Sequence, residues 1–382
     1  MTDEASQTRS RKKEHVDIIL KEDVRARQNA WDDVSILHDA IPDVDLESVD
    51  LRTRFLKKEL RAPLMIASMT GGYPDAERIN GNLAAAAAER GVGMGVGSQR
   101  AALLSPEAKR SFTVVRDHDV PFVAANIGAP QLVPQGGKPP LARAQIDELV
   151  KMLEADALIV HLNPLQEAVQ PEGDLRMKGA LAAIRDLAKD LGVPVIAKET
   201  GAGLSRLAAE RLKAAGVAAL DVGGLSGTTF AAVETFRAKA EGRPDRERLG
   251  ALFRDWGIPT PVALREALTA GLPAISTGGL RSGLDAARAL ALGATLAGFA
   301  SAVLTPANKS AKDASAFLAQ VELELRTACF LANAPRAADL AARPVLVHGE
   351  AARWMGLLGH DVAGLARRRA KPVDPVDPSM WH

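Results

Sequence analysis

Short apolar runs recur along the middle of the chain, and most are followed by a stretch with apolar residues at three- and four-residue spacing. The runs are 63–68 (PLMIAS), 91–97 (GVGMGVG), 121–128 (PFVAANIG), 157–163 (ALIVHLN), 193–199 (VPVIAKE), 219–224 (ALDVGG), 273–279 (PAISTGG) and 294–300 (ATLAGFA). Continuous apolar runs of this length suit strands buried on both faces, as in parallel sheets. The intervening stretches 141–154, 177–191, 205–215 and 282–292 read as amphipathic helices. Eight such units predict an α/β fold, a (β/α)8 TIM barrel. The glycines of 91–97 weaken that run as a strand, so an open doubly wound sheet remains the alternative. Residues 1–60 read as an N-terminal arm and extension packing on the barrel, 61–345 as the barrel, and 346–382 as a C-terminal helix and tail. The long charged stretch between units six and seven, 225–261, reads as a lid insertion.

In a barrel the active site stands where the strands end. The residues at those ends are Ser68-Met69-Thr70-Gly71-Gly72, Ser98-Gln99-Arg100 and Asn126, then His161 and Asn163 with Gln166-Glu167. Lys198-Glu199, Asp221, Ser276-Thr277-Gly278-Gly279 and Ala300-Ser301 follow. Loops begin at strand ends, so some polarity is expected there. Lys, His and Asn within the strand tips themselves point instead to a site.

Composition narrows the chemistry. The 382 residues carry 48 Lys+Arg against 47 Asp+Glu, 47% hydrophobic residues and one cysteine. Charge balance argues against a general nucleic-acid binder, and a lone Cys329 excludes an intrachain disulfide scaffold. Neither a secretory leader nor an apolar stretch of membrane-spanning length is present, so a cytoplasmic, membrane-free protein is expected. Glycine-rich turns at 223–229 and 276–283 suit backbone donation to a phosphate, the second opening a helix. Lys198, emerging from a buried strand, would either snorkel to solvent or face an anionic or electron-rich cofactor ring. One carboxylate, Glu167, among amides suits Mg²⁺, which takes few protein ligands. Arg11-Lys12-Lys13-Glu14-His15 places cations and an imidazole on the arm, as a solvated face or as an arm that folds over a neighbour's active site to clamp a diphosphate.

These residues resemble the type 2 isopentenyl diphosphate isomerases, flavin-dependent (β/α)8 enzymes. The resemblance runs from RKKEH at 11–15 to LAGFASAVL around Ala300 and is carried by MTGG (69–72), SQR (98–100), HLNPLQE (161–167) and STGGLRSG (276–283). It implies interconversion of isopentenyl and dimethylallyl diphosphate by an allylic proton shift with reduced FMN and Mg²⁺. NADPH or NADH would be an activating reductant, and the enzyme a homo-oligomer, a tetramer or octamer. It implies that Arg11, Lys12 and His15, with Ser98 and Arg100, bind substrate. His161, Asn163 and Gln166 would line the catalytic pocket, and Glu167 would hold the metal. Ala67, Ser68, Met69, Thr70, Ser98, Asn126, Lys198 and Thr228 would contact the flavin ring and ribityl chain. Gly278, Gly279, Leu280 and Arg281, with Ala300 and Ser301, would cradle its phosphate. One departure stands out: Ser226 replaces a glycine of the family's GGxGGT run, which puts the backbone there in question. The alternatives are an FMN-dependent oxidoreductase of the hydroxyacid-oxidase type, which would want a histidine shortly before the late TGG turn, and a non-catalytic phosphate-binding barrel.

Overall fold

The structure, a computed structural model, describes residues 3–368, with side chains from Ser10 onward. Its centre is a closed barrel of eight parallel strands in sequential order: β1 (Leu64–Ile66), β2 (Gly93–Gly95), β3 (Val123–Gly128), β4 (Ala157–Leu162), β5 (Val195–Glu199), β6 (Ala219–Asp221), β7 (Ala274–Thr277) and β8 (Leu296–Phe299). Closure is made by Ala297 pairing with Leu64 across β8 and β1. The glycine-rich second run does form a strand, but only Gly93–Gly95, because neighbours β1 and β3 supply the pairing that local propensity does not. The four expected helices appear as Arg143–Leu153, Ala180–Asp190, Arg206–Ala214 and Gly283–Ala291, the last two opened by side-chain caps from Ser205 and Ser282.

Strand alternation divides the core in two. Met65, Ala124, Ile159, Ile196, Ala219, Ile275 and Leu296 meet inside the barrel, where Phe55 and Leu60 of the hairpin Thr53–Phe55/Lys58–Leu60 join them. Phe55 packs edge-on against Phe122 at 5.3 Å, just before β3, so the hairpin plugs the end where the strands begin. The other face of each strand packs on the helical ring through residues such as Leu64, Leu158, Val160 and Leu220.

The 225–261 segment is not a loose excursion. It forms the helices Phe230–Ala240 and Pro244–Leu252, which pack on each other, and leads into Thr260–Leu268. The arm is a helix, α1 (Asp3–Lys21), laid against Phe230–Ala240. Val34–Ile36 pairs antiparallel with Val345–Val347, stitching the two chain extensions together. The Pro-rich tail from residue 369 lies outside the described residues. Among the described residues no helix is long and apolar enough to cross a membrane.

Candidate active site

The inward row of each long strand changes character one step above the core. Ala124 is followed by Asn126, Ile159 by His161, Ile196 by Lys198, Ala219 by Asp221 and Ile275 by Thr277. Period-two geometry therefore lifts five polar groups onto the upper surface of the apolar plug. Register sets them side by side, with His161 opposite Lys198 and Lys198 opposite Asp221.

Hydrogen bonds fix their orientation. Asn126 Oδ1 accepts from His161 Nδ1 at 2.8 Å. Burial, reinforced by Lys12, Lys198 and Arg11, pushes the His161 pKa down to about 4, so the imidazole is neutral at neutral pH. Lys198 Nζ lies 3.1 Å from both Asp221 Oδ2 and Thr277 Oγ1, and Thr277 donates to Asp221. The next residue points elsewhere. Glu199 accepts from the backbone N–H groups of Gly201 (2.6 Å), Ala202 (2.5 Å) and Gly203 (2.9 Å), and burial raises it to about 7. Gln99 braces the floor, donating its backbone N–H to Asn126 O and accepting the Asn126 N–H on its side chain, both at 2.9 Å.

Above this floor opens a cavity of about 1080 Å³. It brings together Arg11, Lys12, His15, Ala67, Ser68, Met69, Thr70, Ser98, Arg100, Asn126, His161, Asn163, Gln166, Glu167, Lys198, Thr228, Gly278, Gly279, Leu280, Arg281, Ala300 and Ser301, whereas Gln99, Glu199, Asp221 and Ser276, also at strand ends, do not line it. Lys12 Nζ donates to Ser98 O at 2.5 Å and sits 5.4 Å from the Phe112 ring centre. Burial, with Arg11 and Arg100 adding to it, lowers its pKa to about 7. Glu167 accepts from Asn163 Nδ2 (2.8 Å), from the Asp174 N–H (2.7 Å) and from Gln170, and burial raises its pKa. Asn163 also donates to Gln166 Oε1 at 3.1 Å.

A flavin mononucleotide fits these donors. The Ser68 and Ser98 hydroxyls are buried, line the cavity and have no protein partner. Gly278 and Gly279 adopt φ of 111° and 80°, and a Cβ on Gly227 would stand 2.5 Å from Gly279 N, so side chains are excluded from this turn. Asn29 donates to Gly279 O at 2.8 Å and the buried Trp31 indole to Gly278 O at 2.9 Å, clamping the turn through its carbonyls. No motif pointed to those two residues. Arg281 lines the cavity, but its guanidinium is engaged by Asp32 (2.6 Å) and Asp285 (3.1 Å). Ser226 is absent from the left-handed backbone region. Its hydroxyl donates to Leu225 O (2.6 Å) and accepts the Thr260 N–H (3.2 Å), so the glycine replacement is accommodated.

His15 lies on the wall, its Nε2 2.7 Å from Glu234 Oε1 and its ring edge-on to Phe230. Behind His15, Arg237 is a hub, bonded to Glu234 (2.8 Å), Glu14 (3.0 Å) and Glu172 (3.0 Å). Sequence patterns missed both Glu234 and Arg237, whose partners His15, Glu14 and Glu172 are remote in the chain. The hub docks α1 on its own barrel, and Arg11 and Lys12 line the cavity of their own chain. Cys329 is buried in the helix Ala311–Leu331 with its thiol pushed up to about 12, a core position.

A closed parallel barrel with its cavity at the strand ends is the architecture of the (β/α)8 enzymes. The chain is 44% identical over 345 residues to the isopentenyl-diphosphate delta-isomerase of Thermoplasma volcanium, covering 90% of this chain and 98% of that one. Identity is 42% with the protein of that name from Methanothrix thermoacetophila (95% and 100% covered) and 43% with that from Archaeoglobus fulgidus (92% and 99%). The chain belongs to the isopentenyl-diphosphate delta-isomerases, in their type 2 family, and is an isomerase. No protein-family model matches it. Its fold is similar to that of a protein described as a lactate oxidase from Pediococcus acidilactici, with TM-score 0.59 and 17% identity over 88% of this chain and 87% of that one. That likeness concerns the fold alone.

Proposed function

We propose that this isomerase interconverts isopentenyl and dimethylallyl diphosphate, with reduced FMN and Mg²⁺ bound and NADPH or NADH as activating reductant. The observation that carries the reading is one cavity with two unlike halves: a rim of Arg11, Lys12 and Arg100, and a floor of Asn126, His161 and Lys198 flanked by the partnerless Ser68 and Ser98 hydroxyls. The rim suits a diphosphate and the floor a polar planar ring.

The reaction moves a proton across an allylic system with no net redox change. An alkene is a poor base, so the barrier falls only if an acid is well placed and developing positive charge is stabilised. Reduced FMN would supply an electron-rich ring and an exchangeable proton. The chain's own groups do the rest. Lys198, held by Asp221 and Thr277, would favour an anionic reduced ring by Coulomb attraction. Asn126 holds a neutral His161, which adds no positive charge beside a cationic transition state. Asn163 orients Gln166, an amide that can relay but not readily donate a proton. Arg11, Lys12, Arg100 and Ser98 would anchor the diphosphate. A cation at Glu167 would take few protein ligands and complete its shell from diphosphate and water. Association into a homo-oligomer and residence in the cytoplasm belong to the same proposal.

The test is an anaerobic assay with isopentenyl diphosphate, FMN, Mg²⁺ and NADPH. Dimethylallyl diphosphate should form only with reductant present, without stoichiometric NADPH loss. Yellow protein that makes no product would redirect the reading to a flavin oxidoreductase.

A further inference from the structure

The turn after the helix Pro164–Val169 carries two carboxylates with no part in the chemistry above. Asp174 Oδ2 lies 3.0 Å from Arg100 Nη1, with both side chains less than a quarter exposed. Glu172 Oε1 lies 3.0 Å from Arg237 Nη2 and 3.9 Å from Arg11 Nη1. The Asp174 N–H donates to Glu167. One short turn thus reaches Arg11, Arg100 and Glu167, the same three groups assigned above to the diphosphate and its cation.

The turn is built for this reach. Gln170 fastens its near end by donating to Glu167. Gln135 fastens the far end, donating to Arg176 O at 2.7 Å and accepting the Arg176 N–H at 3.1 Å. Between them Gly173 presses on the preceding helix: a Cβ there would fall 1.8 Å from Glu167 O. Only glycine lets the two carboxylates flank that contact.

We propose that the Glu172–Asp174 turn is a built-in competitor for the substrate's diphosphate, and that Asp174 and Glu172 set how tightly the site holds it. The proposal rests on the diphosphate reading of Arg11 and Arg100. A carboxylate and a diphosphate on one guanidinium repel each other, so binding exchanges one anion for the other. The exchange keeps partly buried arginines paired throughout, which avoids the cost of a bare buried charge. It also weakens the hold on substrate and product alike, which favours turnover where release is slow.

The test is calorimetric titration of the full chain with inorganic pyrophosphate at low salt. Asp174→Asn should bind it about threefold to tenfold more tightly than the parent, and Glu172→Gln should shift the same way by less. In the parent, amide hydrogens of the peptide 170–178 should exchange faster once pyrophosphate is added. Unchanged or weaker binding in both acidic variants, or slower exchange in that peptide, overturns the proposal, because the turn would then be holding the arginines in place for the ligand. Arg100→Ala separates the two readings. If it binds pyrophosphate as tightly as the parent, the diphosphate assignment has failed. If it is weakened about tenfold while the acidic variants gain nothing, only the competitor has failed.

Discussion

Lys12 is an ammonium kept where water cannot solvate it well and where Arg11 and Arg100 repel it, which brings its pKa to about 7. An arriving diphosphate reverses both effects, so binding should draw a proton from solvent wherever the free group is largely neutral. Calorimetry at pH 8 in buffers of different ionisation enthalpy should show proton uptake with pyrophosphate. The uptake should vanish in Lys12→Met, and near pH 6, where Lys12 is already charged. Glu167 is placed the other way, with burial raising its pKa while Asn163, Gln170 and the Asp174 N–H satisfy its oxygens. Glu167→Gln keeps the shape and removes the charge. It should abolish the Mg²⁺ dependence of substrate binding while leaving FMN bound, as read by titration with and without Mg²⁺ and by flavin absorbance. A Mg²⁺ response equal to the parent's would assign the metal elsewhere.

The hairpin Thr53–Phe55/Lys58–Leu60 and the strand tips work at opposite ends of one barrel. Phe55 is 1% exposed and fills the end where the strands begin. Phe55→Ala should therefore cost about 3–5 kcal/mol in urea unfolding, with the FMN affinity of the folded fraction nearly unchanged. A large fall in FMN affinity instead would mean that the plug and the floor are mechanically one unit. Strand and helix positions were largely readable because hydrophobic periodicity is a local property: all eight runs contain a barrel strand, and the four helices match within a few residues. The segment 225–261 was readable as a charged lid insertion, without its packing partners. Its helix Phe230–Ala240 turned out to be the dock for α1, because Glu234 and Arg237 find His15, Glu14 and Glu172.

Closure of the barrel makes the tips of eight strands into a single floor, and the two chain extensions, paired through Val34–Ile36 and Val345–Val347, hold Asn29 and Trp31 against the β7 glycine turn. Ligand binding and global stability should accordingly be linked. FMN at about a hundredfold over its dissociation constant should add ~2.7 kcal/mol to the folded state, seen as a rise of several degrees in thermal melting. No rise at any FMN concentration would remove the flavin from the site.

The apolar runs, the polar residues that end them and the glycine turns are written in consecutive positions, so the barrel and the place of its candidate site were legible in the sequence itself. Partner choice was not. Whether Arg281 serves a phosphate or Asp32, whether Arg100 faces a ligand or Asp174, and whether His15 points to substrate or Glu234 depends on groups 249, 74 and 219 residues away. Those distances are closed only when the barrel forms. An ion pair carries no periodic signature, and its worth depends on the burial and neighbours that packing alone creates.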